Sequence, residues 1–274
     1  MSGPADEEQL TRKQRREHAR AERKALEQAA AASAARRTRL TQLGIVGAIV
    51  VAVIVAVVIA TGGGAKKGLV TNKKAANQTV AAVSSLLNGI PQSGNVLGRP
   101  DAPVTLQFFS DLECPVCKEF TLGALSPLIQ TWVRPGKLKI EDRALETATR
   151  EPETFKTQQA AALAAGKQGK MWHYLELFYH EQGEEGTGYV TETYLRGLAS
   201  QVPGLDLAKW SAARTDPAFE STITSDAQAA NNAGFNGTPS FLIGKTGGAM
   251  QKFEAASLTD PSAFNAAIEQ LLKT

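Results

Sequence analysis

The chain has 274 residues, enough for one or two domains, with an ordinary 43% of apolar residues and a formal charge of +3. That charge is unevenly spread: residues 1–61 hold ten basic and six acidic side chains, and the remainder holds twenty and twenty-one. The basic excess belongs to the N-terminal stretch, and the rest of the chain lacks the positive field that nucleic-acid binding needs.

Residues 1–42 read as a basic tail. Ala, Glu, Arg, Lys and Gln dominate, all good helix formers, but Leu10, Leu26 and Leu40 are too sparse for a core. Arg36, Arg37 and Arg39 suit anionic lipid headgroups. Residues 43–60 (LGIVGAIVVAVIVAVVIA) carry no charge, which predicts a membrane-spanning signal anchor. A buried core helix is the plain alternative, and the basic flank argues against it. A cleaved signal peptide is another; against it stand the long apolar run and the forty residues before it, although Val58 and Ala60 have cleavage-site spacing. Within about twenty residues of the run, five basic side chains precede it and four follow, a mild bias toward a cytoplasmic N terminus.

Residues 61–96 form a linker, with Gly62, Gly63 and Gly64 and paired lysines, and a short helix: Ala75 to Leu87 has helical spacing, with Val80, Val83 and Leu87 on one side. Gly89 through Pro103 has the turn residues of an irregular lead-in. The main domain, 97–274, opens on a strand, Val104–Phe109, that runs into Cys114-Pro115-Val116-Cys117 and then a helical pattern with Phe120, Leu122 and Leu125. A second strand covers Lys137–Arg143. Residues of about 150–232 are Ala-rich and helical, an insertion of four or five helices, whose Trp172, Tyr174, Phe178 and Tyr179 have core spacing. Strands follow at Ser240–Ile243 and Met250–Glu254, then a helix capped by Asp260 with Pro261 at its first position. This order is the plan of an α/β thioredoxin fold with an inserted helical domain.

Cys114 and Cys117 are the only cysteines. The loop they close is too small to staple a large fold, and a structural zinc site needs two more ligands. The three histidines, His18, His173 and His180, are far away in sequence, so no metal or cofactor is expected. The spacing suits a dithiol–disulfide switch. With Pro115 opening a helix, Cys114 sits at the helix start, where N–H groups favour a thiolate; Cys117, one turn in, is the resolving thiol. Pro115 and Val116 have no polar side-chain atoms, so the backbone is expected to supply most of the stabilisation. Glu113 opposes the thiolate and Lys118 favours it, with no ranking from sequence. Stable disulfides belong outside the cytoplasm, which places the domain there.

The run Asp111-Leu112-Glu113-Cys114-Pro115-Val116-Cys117 with Phe120 resembles the active-site motif of the DsbA-like thiol–disulfide oxidoreductases. Gly237-Thr238-Pro239-Ser240-Phe241 resembles their cis-proline loop, and Gly169 to Tyr174 with Phe178 a segment of their helical insertion. The resemblance covers about residues 97–272. It implies a cis bond before Pro239, a loop beside Cys114, and Thr238 offering backbone groups to an extended substrate and its hydroxyl to the Cys114 sulfur. It implies reduced exported proteins as substrates and a membrane redox partner. Val116 departs from the family's best-known oxidases, which carry His there. Three functions follow: an oxidase donating the Cys114–Cys117 disulfide, a reductase or isomerase kept reduced by a membrane carrier, or a binding module on the same fold.

Overall fold

The structure, a computed structural model, describes residues 73–273. The basic tail, the apolar run 43–60 and residues 61–72 of the linker lie outside the described residues. Among the described residues no helix is long and apolar enough to cross a membrane.

Helix α1 (Lys73–Leu87) leads, burying Val83 and Leu87 as its spacing predicts. Two short strands follow, β1 (Gln92–Ser93) and β2 (Val96–Leu97), where the sequence suggests an irregular lead-in. Gly94 takes φ +57° in the two-residue loop between them, a conformation that costs glycine little. The hairpin is fixed from outside: the Asn95 amide donates to the Asp142 carbonyl at 2.7 Å, and Trp172 Nε1 donates to the Asn95 carbonyl at 3.0 Å. Gln92 adds a third tie, 2.9 Å from His173 Nδ1. These partners lie far along the chain, which is why local pattern does not disclose the hairpin.

Strand β3 (Val104–Ser110) sits at the centre of a six-stranded mixed sheet in the order β1-β2-β4-β3-β5-β6. It pairs parallel with β4 (Leu138–Ala144) and antiparallel with β5 (Ser240–Lys245), which pairs with β6 (Gln251–Phe253). Six of its seven residues are buried, as expected of a strand covered on both faces. On one face Phe108, Phe120, Phe241 and Phe264 stack with ring centroids 4.8–5.7 Å apart, locking the cysteine-bearing helix and the last helix onto the sheet. Truncating one such ring to Ala costs about 3–5 kcal/mol in typical cores.

The helix after the cysteines is uneven. Helix α2 (Pro115–Phe120) widens into a π-helical turn over Thr121–Leu125, tightens at α3 (Ser126–Leu128), and widens again over Ile129–Val133. The first widening has two causes. Pro127 has no N–H to give the ladder, and the Ala124 N–H leaves it to donate to the Leu258 carbonyl at 3.0 Å. Gly123 permits that approach, since a Cβ there would sit 2.8 Å from Thr259 Cα.

Five helices fill the stretch read as an insertion: α4 (Pro152–Gly166), α5 (Met171–His180), α6 (Glu192–Gln201), α7 (Leu207–Ala213) and α8 (Ala218–Asn232). Trp172, Tyr174, Phe178 and Tyr179 are buried, and the polar tips of the first two and of Tyr179 bond to backbone carbonyls. Helix α9 (Ser262–Lys273) ends the described chain, with Asp260 Oδ1 accepting from the Ser262 N–H at 2.9 Å, the cap its sequence announces.

Candidate active site

Strand β3 hands the chain to a tight turn. The Cys114 N–H donates to the Asp111 carbonyl at 3.0 Å, and Asp111 Oδ1 accepts from the Glu113 N–H at 3.0 Å. Cys114 then stands as the N-cap of α2 in extended conformation, and Pro115 takes the first helical turn, where a missing N–H leaves no gap. Side chains from the insertion clamp this corner: Gln182 Nε2 donates to the carbonyls of Leu112 (2.7 Å) and Cys114 (3.0 Å), and the Tyr179 hydroxyl to that of Asp111 (3.3 Å).

Both thiols are free and buried, Cys114 at 5% exposure and Cys117 at 0%. The Cys117 N–H donates to Cys114 Sγ at 3.4 Å, and the Cys114 thiol donates to the Thr238 carbonyl at 3.4 Å. Hydrogen bonding from the Cys117 thiol does most to pull the Cys114 pKa down to about 6; burial opposes it, and the Thr238 side chain and the N–H groups of Cys117 and Val116 add to it. Burial, and then the neighbouring Cys114, push Cys117 well above the ordinary thiol range. At neutral pH the pair therefore holds one anionic sulfur and one neutral one, the division of labour that thiol–disulfide exchange uses.

Two expectations change. The backbone is a contributor rather than the main source of thiolate stabilisation, because the Cys117 and Thr238 side chains lower the Cys114 pKa as well. Glu113 and Lys118 are not what sets the Cys114 pKa. Burial raises the Glu113 carboxyl toward its neutral form, with Asp111 and Glu185 adding to that and a Thr149 hydrogen bond working against it, so its opposition to the thiolate is blunted.

The Thr238–Pro239 bond is cis, and the loop lies against Cys114 as the resemblance implies. A groove of about 480 Å³ runs from Val116 past this loop to Phe235, Phe253 and Leu258. Val116 is 41% exposed at its rim, so the residue between the cysteines faces incoming molecules. His173 bonds Gln92, and burial, with the positive charge of Lys118 adding to it, lowers the His180 pKa; neither histidine is among the groups that set the Cys114 pKa.

The residues that sequence reasoning passed over are those that brace the site. Asp111, noted there only as part of a motif, is completely buried, and its carboxylate accepts five hydrogen bonds. Besides the Glu113 N–H, the donors are the N–H groups of Thr147, Ala148 and Thr149 at 2.8–2.9 Å and the Thr149 hydroxyl at 2.6 Å. Thr147 in turn places its hydroxyl 2.5 Å from that of Thr238. Gln182, Tyr179 and Thr147 are tens of residues from their partners, and spacing gives no signal for them.

Residues 92–269 match the family model described as thioredoxin. The chain is 22% identical over 180 residues to a probable disulfide bond formation protein D of Bacillus anthracis, covering 59% of this chain and 78% of that one. It is 28% identical over 176 residues to a Na(+)/H(+) antiporter NhaA 1 of Salinispora arenicola, covering 64% of this chain and a quarter, 25%, of that relative. Among solved structures, oxidised BdbD of Bacillus subtilis superposes with a TM-score of 0.56 at 19% identity, over 68% of this chain and 100% of the other, a likeness of fold. With the family match spanning strand, cysteine pair and cis-proline loop together, the chain belongs to the thioredoxin family and is a DsbA-like thioredoxin-fold oxidoreductase.

Proposed function

We propose that the protein is an extracytoplasmic thiol–disulfide oxidase, anchored by residues 43–60, that passes the Cys114–Cys117 disulfide to exported proteins. A substrate thiolate attacks Cys114 Sγ, the Cys114–Cys117 bond breaks, and Cys117 leaves and takes a proton. The substrate's second thiolate then attacks the substrate sulfur of the mixed disulfide and releases Cys114 as a thiolate. Two electrons have passed from substrate to enzyme, and a membrane redox partner withdraws them. Thr238 and Pro239 offer the edge along which the substrate chain lies.

The observation that carries the direction is the Cys114 pKa of about 6. A sulfur stable as an anion is a good leaving group, and its stability favours the reduced enzyme, which makes the disulfide oxidising. The value lies between about 7 for thioredoxin and about 3.5 for DsbA, which brackets the expected potential between about −270 and −120 mV. The anchor and orientation are supported by the uncharged run 43–60 and its basic N-terminal flank.

Equilibration of the pair with glutathione tests the direction. A potential above about −200 mV is expected, with oxidation of a reduced dithiol peptide faster than reduction of insulin. A potential near or below about −270 mV, with the pair found as dithiol in alkylated intact cells, would overturn it in favour of a reductase. Protease added outside spheroplasts should remove the domain 97–274; protection would overturn the orientation.

A further inference from the structure

The geometry around Thr238 assigns a role to a residue outside the cysteine pair and the cis-proline loop. We propose that Thr147 is a positioning residue for the exchange reaction: its hydroxyl donates to the Thr238 hydroxyl and so leaves the Thr238 proton free to point at the Cys114 sulfur. This rests on Cys114 being the attacking sulfur and is independent of the direction of electron flow.

The contacts around Thr147 support it. The two hydroxyl oxygens are 2.5 Å apart, so one of the pair must donate to the other. The backbone of Thr147 is held by an unusual brace, since its N–H and those of Ala148 and Thr149 all converge on Asp111 Oδ2 at 2.8–2.9 Å. The brace is tied at a second level, because Gln158 Nε2 donates at 2.7 Å to the same Thr149 hydroxyl that donates to Asp111. Thr147 is itself exposed, so a hydroxyl with free access to water is instead kept against Thr238. Thr238 itself lies against the sulfur, its carbonyl oxygen 3.4 Å from Cys114 Sγ, and its side chain is among the groups that lower the Cys114 pKa.

A hydroxyl has one proton. When Cys114 is a thiolate, Thr147 donates to Thr238 and Thr238 donates to the sulfur. When Cys114 is a thiol or a disulfide, the sulfur needs no donor and the direction between the two hydroxyls is free to reverse. The pair is therefore a two-hydroxyl relay whose polarity follows the charge on the sulfur. Asp111 links it to the turn before Cys114, so one buried carboxylate sets both the approach of β3 to the cysteine and the position of the hydroxyl that serves it.

The test is the thiolate absorbance of the reduced protein followed against pH, with the rate of alkylation measured in parallel. Thr147→Val is expected to raise the Cys114 pKa by about half a unit to one unit, and to slow alkylation at pH 6 by about two- to five-fold. Thr147→Ser, which keeps the hydroxyl, should return both to the parent values. In a Thr238→Val background Thr147→Val should have no further effect, since the relay is already broken. An unchanged pKa in folded Thr147→Val overturns the proposal, as does an equal shift in the Thr238→Val background or a failure of Thr147→Ser to restore. Thr147→Ala gives the same comparison should the valine fit badly. Cys114→Ser separates the two levels: the transition near pH 6 should vanish there, and its survival would overturn the assignment of Cys114 and this role with it.

Discussion

Two buried acids, one in the thioredoxin-fold layer and one in the helical insertion, respond to burial in opposite ways. Cys114 at the start of α2 is 5% exposed and has its pKa lowered to about 6. Glu176 in the middle of α5 is 1% exposed and has its carboxyl raised to about 8 by burial, with its Oε1 lacking any hydrogen-bond partner. Taking charge out of water is unfavourable at both places. At Cys114 the Cys117 thiol, the Thr238 side chain and the N–H groups of Cys117 and Val116 replace the lost water; at Glu176 no donor meets Oε1. Depth inside the protein does not decide where an ion is tolerated. Preplaced donors decide it, and in this molecule they gather at the junction of β3, α2 and the cis-proline loop.

The comparison breaks most severely where the donors are organised. Asp111→Ala leaves four N–H groups and the Thr149 hydroxyl without their acceptor in a buried place. A loss of about 3–5 kcal/mol of stability is expected, measured by urea unfolding. A loss below about 1 kcal/mol would mean that water substitutes freely for the carboxylate and that the brace is not what orders the site.

Glu176→Gln sharpens the other side. A carboxyl whose folded pKa is raised gives a stability contribution that is full below the unfolded value of about 4.3 and lost as pH rises through the folded value of about 8. The wild-type protein should therefore lose stability between those limits, and the amide should flatten that part of the profile. At pH 9 the variant is expected to be more stable by about 5 kcal/mol, with little difference at pH 4. Equal stability of the two proteins at pH 9 would show that Glu176 finds a partner in solution.

Val116→His adds a cation beside the thiolate at a position 41% exposed, so it tests electrostatics with little disturbance of packing. The Cys114 pKa should fall by about one unit and the potential should become more oxidising. No change in either would mean that the hydrogen bonds already dominate. A companion measurement needs no substitution. Because the Cys114 pKa is depressed, the reduced protein gains stability above the unfolded thiol value of about 8.5 and loses it as pH falls through about 6. The melting temperature of the reduced form, relative to the oxidised form, should drop across that window.

Much of the fold is legible in the sequence because its elements carry local signals. The strand-forming run Val104–Phe109, Pro115 after Cys114, and Asp260 before Pro261 each encode an element through composition, φ restriction or capping, and each reappears within a residue or two. The β1–β2 hairpin is not legible, since Gln92 and Asn95 owe their places to Trp172, His173 and Asp142. The π-helical turn after Phe120 is half hidden for the same reason: Pro127 is visible in the sequence, but the Leu258 carbonyl that draws off the Ala124 N–H is not.

The sequence by itself determined the chemistry this protein has to offer: two cysteines at exchange spacing, a helix start to hold them and a Thr-Pro pair to face them. Those are contiguous features, and backbone geometry makes them nearly independent of the rest. Only the tertiary structure decided how strongly the pair is biased. Beyond the local Cys117 thiol, the sulfur is biased by the Thr238 side chain, and the groups that hold the site around it, Thr147, Asp111 and Gln182, come from further separate segments. A sulfur's pKa depends on distances of a few ångströms to its donors, and such distances exist only after the sheet has brought those segments together.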